Sequence, residues 1–284
     1  MNLFRTRYGR DNFLELIALL FLILNYRLPT LNIKYKKVIF FILATSFVLY
    51  FSRTMFIIIL LLGLSFFGYT RITRKGIKYF GTLIILLLGL YAYLLSIEID
   101  RDNEGTLSKF MYKLKIAPAE IFLTEIDVNN HAELWDHWRG YEVLKAIESL
   151  NNDGPLSWVF GRGFGSTVDL GFKAPLDDEG EGMRFISLLH NAYGFILYKS
   201  GVLGLLSFFL FLLILYYRPI MHGQLELNRI NNIILGFSFF YLISTLVISG
   251  IYNPRDNLTL ILGGIIFLRD HQIKLEFENS NNRN

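Results

Sequence analysis

The chain has 284 residues, 53% of them hydrophobic and 16% aromatic, which excludes an ordinary soluble domain of this length. It contains no cysteine, which excludes a disulfide frame and a thiolate metal site. The formal charge is +4, but residues 98–189 hold 17 acids against 9 Lys and Arg, a net of −8, so the remainder carries +12. A basic surplus distributed in that way follows membrane orientation and gives no support for nucleic-acid binding.

Apolar runs recur at 13–26, 38–51, 55–69, 79–97, 192–217, 233–249 and 258–268. A helix needs about 20 residues to cross a ~30 Å hydrocarbon core. Several of these runs are shorter, so polar flanks are drawn in or the bilayer thins locally. The expectation is an all-α, polytopic helical membrane protein of about seven spans. It divides into membrane helices over 1–97, an extracytoplasmic, mainly helical loop domain over 98–189, further membrane helices over 190–270, and a polar, frayed tail over 271–284.

The connectors orient it. Arg27, Lys34, Lys36 and Lys37 lie in one, and Arg71, Arg74, Lys75 and Lys78 in the next, with no acid in either. The positive-inside rule places both in the cytoplasm and the acidic loop outside, in the periplasm of a Gram-negative host. Arg5, Arg7 and Arg10 then fall outside, against the rule, and no signal-peptide pattern precedes the first run. The simplest account is that upstream spans are missing from this chain; the alternative is an interfacial first run.

Within the loop, Leu134, Trp138, Tyr141, Leu144 and Ile147 recur at helical steps, which predicts a helix over 131–150 ended by Gly154-Pro155. Gly161, Gly163 and Gly165 read as a structural turn, since no strand and helix flank them as a dinucleotide loop requires. The acidic stretch Asp177, Asp178, Glu179 and Glu181 reads as a solvated loop tip without calcium-ligand spacing. Asn191 is placed to cap the helix that follows. Gly201 and Gly204, with Ser200 and Ser207 nearby, read as close helix packing with no substrate role.

Four pieces occur in order: Ser52-Arg53 between two short apolar runs, Trp138-Arg139-Gly140-Tyr141-Glu142, Gly161-Arg162-Gly163-Phe164-Gly165, and His190-Asn191-Ala192-Tyr193 followed by Lys199-Ser200-Gly201-Val202-Leu203-Gly204. On these the chain resembles the O-antigen ligase and O-antigen polymerase family of bacterial membrane glycosyltransferases, over roughly residues 38–217. The resemblance implies ten or more helices, a long periplasmic loop, and metal-independent glycan transfer without a cofactor. The donor would be an undecaprenyl-pyrophosphate-linked glycan and the acceptor a hydroxyl on a glycan or on the lipid A core. A chain-length regulator is a further partner of such enzymes.

That chemistry needs cations where pyrophosphate charge develops and a base for the acceptor hydroxyl. Arg53 sits inside the 32-residue run 38–69, about 48 Å as one helix and too long for one crossing. Split near Ser52-Arg53, a hairpin of short halves would hold Arg53 at pyrophosphate depth; the plain alternative is a snorkelling anchor. His190 is the candidate for acceptor activation, against an interfacial histidine bonded to water or backbone. Arg139 is a second pyrophosphate or sugar contact, or else a surface pair with Glu142 three residues on. Trp138 would supply an apolar platform, and Glu142, Asn191, Arg162 and Arg184 complete the candidate substrate contacts, with Arg162 also able simply to dock its glycine turn. Expected is an inner-membrane polymerase of O-antigen or capsular polysaccharide; a ligase, a transporter and an inactive fragment are the alternatives.

Overall fold

The computed structural model describes residues 12–27, 34–49, 53–99, 108, 111–112, 114–116, 118, 130–175, 182–221, 223–247, 250–252 and 258–281. Arg5, Arg7, Arg10, Ser52, the acidic stretch Asp177–Glu181 and His222 lie outside these, as do the side chains of Arg53 and His131. The fold is mostly helical: α1 (Asn12–Arg27), α2 (Lys36–Leu49), α3 (Arg53–Phe66), α4 (Arg74–Ser96), α5 (His131–Asp136), α6 (Trp138–Asp153), α7 (Pro155–Phe160), β1 (Val168–Ala174), β2 (Met183–Ile186), α8 (Ala192–Tyr216), α9 (Leu225–Val247) and α10 (Leu258–Asn281).

Each of the seven apolar runs forms a helix, but among the described residues three are long and apolar enough to cross a membrane: α4, α8 and Leu225–Leu246 of α9. The 14-residue α2 and α3 reach only about 21 Å each. The run 38–69 holds two helices, α2 ending at Leu49 and α3 starting at Arg53, and residues 50–52 between them lie outside the described residues. The tail departs from expectation, since α10 stays helical to Asn281, with Lys274 and Glu278 at ion-pair spacing on its polar stretch.

The chain forms two compact units. The first comprises Met1–Phe80, Leu213–Tyr241 and Pro254–Asn284. In it α1 packs on α2 and α3, and Ser46 of α2 donates to the Glu15 carboxylate of α1. α9 meets α3 at Gly236, where a Cβ would sit 2.9 Å from the Ser65 Cβ and 3.0 Å from the Leu62 Cδ2. Small residues allow such close approach where no hydrophobic gain drives helix association.

The second unit comprises Gly81–Leu212 and Leu242–Asn253. Its core joins Leu134, Trp138, Tyr141 and Leu150 of α5 and α6 to Val168, Leu170 and Ala174 of β1, and to Phe195 and Tyr198 of α8. The helix expected over 131–150 is real but breaks at His137 (φ −114°, ψ 20°), and Gly154 ends α6 with Pro155 opening α7. The all-α expectation needs correction here. β1 and β2 form an antiparallel pair with Val168 opposite Ile186 and Asp169 opposite Phe185. Val168, Leu170 and Ala174 are buried on one face, the two-residue period of a half-buried strand.

α8 is not one straight rod. At Gly201 (φ 68°, ψ −165°) the backbone leaves helical geometry. Residues 193 and 209 would be about 24 Å apart along a straight helix. Instead the Tyr193 ring stacks on Phe209 at 5.8 Å, and a Cβ on Gly204 would lie 3.3 Å from the Ile196 Cγ2. The arms 192–200 and 202–216 therefore fold back on each other. The close packing read for Gly201 and Gly204 exists, but across this reversal. Gly201 occupies a backbone region open essentially to glycine alone, and a Cβ there would fall 2.2 Å from the Val159 carbonyl oxygen at the end of α7.

Candidate functional site: a carboxylate–histidine pair

Glu142 lies on the inner side of α6 and is fully buried. A buried carboxylate is costly unless paired and hydrogen-bonded. Both of its oxygens meet His190: Oε2 accepts the His190 backbone N–H at 2.7 Å, and Oε1 lies 2.8 Å from Nδ1. With the carboxylate ionised it only accepts, and in that state Nδ1 carries the proton and the ring lone pair resides on Nε2. The two side chains differ sharply in exposure, 55% for His190 against 1% for Glu142. This is the arrangement in which a buried acid fixes the tautomer and orientation of a base and stabilises the imidazolium that forms.

Three neighbours hold His190 in place. Leu189 is buried in the core before it. After it, buried Asn191 caps α8, its Oδ1 accepting the Gly194 N–H at 3.2 Å. At Gly194, α6 and α8 come closest: a Cβ there would sit 2.7 Å from the Val143 Cγ2, one residue from Glu142. The surface Arg139–Glu142 pair considered from sequence is thus replaced by a buried Glu142–His190 pair. Arg139, half-buried, precedes Glu142 by one turn of α6.

Trp138, Asn191, Arg162 and Arg184 make structural contacts. Trp138 belongs to the core, stacked on Trp135 at 4.9 Å and tilted on Tyr141 at 5.8 Å, so the exposed aromatic face is that of Trp135. Asn191 is committed to its cap. Arg162 pairs with Asp153 at 2.5 Å and donates to the Tyr198 hydroxyl at 3.0 Å. The backbone N–H groups of Arg162 and Gly163 bond to the carbonyls of Tyr198 and Lys199, so the glycine turn docks on α8 as the bland reading held. Arg184 forks onto Asp169 at 2.8 and 2.9 Å. That fork, with the Gly171 N–H, holds the Asp169 carboxyl at a pKa of about 2. Arg53 is the first residue of α3.

Lys199, part of the fourth motif, carries no individual role in the sequence reading. It is buried, its Nζ donating to the carbonyls of Phe164 (3.1 Å) and Ser166 beside the rings of Phe195 and Tyr198. It clamps the glycine turn from beneath. A shallow cavity of about 410 Å³ opens beside that turn, lined by Asp153, Leu156, Ser157, Phe160, Gly161 and Arg162. It contains neither member of the Glu142–His190 pair. Comparison with protein-family models, curated proteins and solved structures finds no match.

Proposed function

We propose that this chain is a multi-pass glycosyltransferase of the bacterial inner membrane. It transfers a glycan from undecaprenyl pyrophosphate to an acceptor hydroxyl on the periplasmic side, as a polymerase of O-antigen or capsular polysaccharide. The seven apolar helices are read as spans, the short ones with their flanks drawn in, and residues 98–189 as the periplasmic domain. The observation that carries the reading is the buried Glu142 carboxylate fixing a half-exposed His190 with Nε2 as its basic nitrogen.

The step is a direct displacement. The acceptor oxygen attacks the anomeric carbon while its proton passes to Nε2 of His190. The bond from that carbon to the pyrophosphate oxygen breaks, the electron pair leaves with the carrier pyrophosphate, and the configuration inverts. Glu142 stabilises the imidazolium. Arg139 supplies a permanent charge, with a planar fork suited to phosphate oxygens, one turn from the pair. Arg53 keeps its pyrophosphate assignment on the sequence argument and is tested separately.

The test uses the full chain in nanodiscs with a polyprenyl-pyrophosphate-linked repeat unit. A ladder of lengthened glycans that disappears in His190→Ala is the expected result. Product only when lipid A core is supplied would make it a ligase. No glycan transfer by the unaltered chain to either acceptor sinks the proposal.

A further inference from the structure

The first unit contains a cationic cluster that the proposed reaction does not use. Arg71 precedes α4, Arg218 follows α8, and Arg269 comes directly after the apolar stretch that opens α10. They converge through α9. Arg71 donates from Nη1 to the Arg218 carbonyl at 3.0 Å and from Nε to Asn232 Oδ1 at 2.6 Å. Arg269 donates from Nε to Asn231 Oδ1 at 2.7 Å. The asparagine amides point away, onto the carbonyls of Pro219 and Phe66. Arg71 thus meets neutral oxygens, which accept hydrogen bonds without cancelling charge.

The acid in this network is Asp270, 60% exposed and paired with Arg269 at 2.6 Å. No acid balances Arg71 among the described residues, and at Arg218 the Asp270 carboxylate opposes the Arg269 charge by less than that charge acts. Arg71 Nη2 and Arg218 Nε are buried there without a hydrogen-bond partner. Burial, and then the neighbouring Arg269 charge, pull the Arg218 pKa below its usual value, with Asp270 opposing them in part. Like charges kept together at a cost in desolvation suit an anion that bridges them. The place is also apt, since α8 and the apolar part of α10 both end here, and basic pockets at the ends of membrane helices take lipid headgroups.

We propose that Arg71, Arg218 and Arg269 form a binding site for a phosphate group. The headgroup of an anionic phospholipid and free inorganic phosphate share this chemistry, and the experiment separates them. The full chain is placed in nanodiscs of phosphatidylglycerol or of phosphatidylcholine, each with and without inorganic phosphate at constant ionic strength, and Tm is followed by tryptophan fluorescence.

A bound ligand at a hundredfold excess over its Kd stabilises by about 2.7 kcal/mol and should raise Tm by about 4–5 °C. A rise in phosphatidylglycerol alone assigns a lipid headgroup; a rise with phosphate in both lipids assigns the free anion. Either rise should vanish in Arg218→Gln and Arg269→Gln and survive in Arg74→Gln, an exposed cation outside the network. Should a glutamine variant fail to fold, Arg218→Lys, with bound lipids counted by native mass spectrometry, must show reduced occupancy. Equal Tm under all conditions, or a rise undiminished in the variants, overturns the site and leaves the arginines as clamps of helix ends.

Discussion

Replacing Glu142 by Gln removes one charge and almost no volume, so it tests the pair without opening a cavity. The amide must choose between two poor arrangements. With its oxygen on the His190 N–H, its NH2 faces Nδ1; the ring must then accept there and move its proton to Nε2, which abolishes the base. With its oxygen on Nδ1, its NH2 confronts the backbone N–H now held at 2.7 Å, donor against donor. An unmet buried donor costs about 1–3 kcal/mol, or roughly ten- to a hundredfold in population of the correct tautomer. Lost stabilisation of the imidazolium adds to this, and deleting a base altogether typically costs about 10²–10⁴. The expected result is a kcat lowered by about 10²–10⁴ with KM within a few-fold, because Glu142 is buried behind the base. Stability should change little, since removing a buried charge with its partner's proton rearranged is near neutral. Transfer by the nanodisc-embedded chain gives kcat, and 15N spectra of labelled histidine report the tautomer. A Glu142→Gln enzyme within threefold of the unaltered chain would refute the reasoning.

Other perturbations probe separate parts of the structure. Gly201→Ala places a Cβ 2.2 Å from the Val159 oxygen in a glycine-only conformation, so thermal unfolding should show a loss of at least about 2 kcal/mol. Gly165→Ala meets nothing within 4 Å and should stay within about 0.5 kcal/mol. Asp169 has its pKa depressed from 3.8 to about 2, so its contribution is fully present above about pH 4 and disappears as pH falls through 2. The drop in Tm between pH 5 and pH 2.5 should therefore be smaller in Asp169→Asn; an equal drop would show that the Arg184 fork adds nothing. For Arg53, transfer assays should show Arg53→Ala losing about a hundredfold or more and Arg53→Lys falling between, charge kept and fork lost. Full activity in Arg53→Ala would remove it from the reaction.

Much of the fold was legible because its signals are local. Apolar length marks the helices, the excess length of 38–69 forces a break, Gly154-Pro155 stops α6, and Asn191 reads as a cap from its neighbours alone. The hairpin was harder to see. Val168, Leu170, Phe172 and Ala174 alternate, but a short strand declares itself through its partner, and the residue opposite Val168 is Ile186. The reversal at Gly201 was invisible for another reason. A glycine between apolar residues looks the same whether it packs a helix or turns it, and the α7 backbone that demands it lies some forty residues earlier. The Glu142–His190 pair was not legible, because spacing offers Arg139 three residues away whereas the partner is 48 residues on.

The same distance explains why the pair constitutes a candidate site and not another surface contact. Surface ion pairs in this chain, such as Lys145–Glu148 and Lys274–Glu278, join residues within one helical turn and leave the acid exposed. Such pairs contribute little. Glu142 instead gives up water completely, its two oxygens held on the His190 backbone N–H and Nδ1. Its effect falls on His190, whose side chain is 55% exposed. The glycine turn, Lys199 beneath it and the Gly201 reversal then have one shared consequence. They fix the first arm of α8 against α6, where Gly194 meets Val143, so that a histidine at the start of α8 holds a hydrogen-bond length to an acid inside α6.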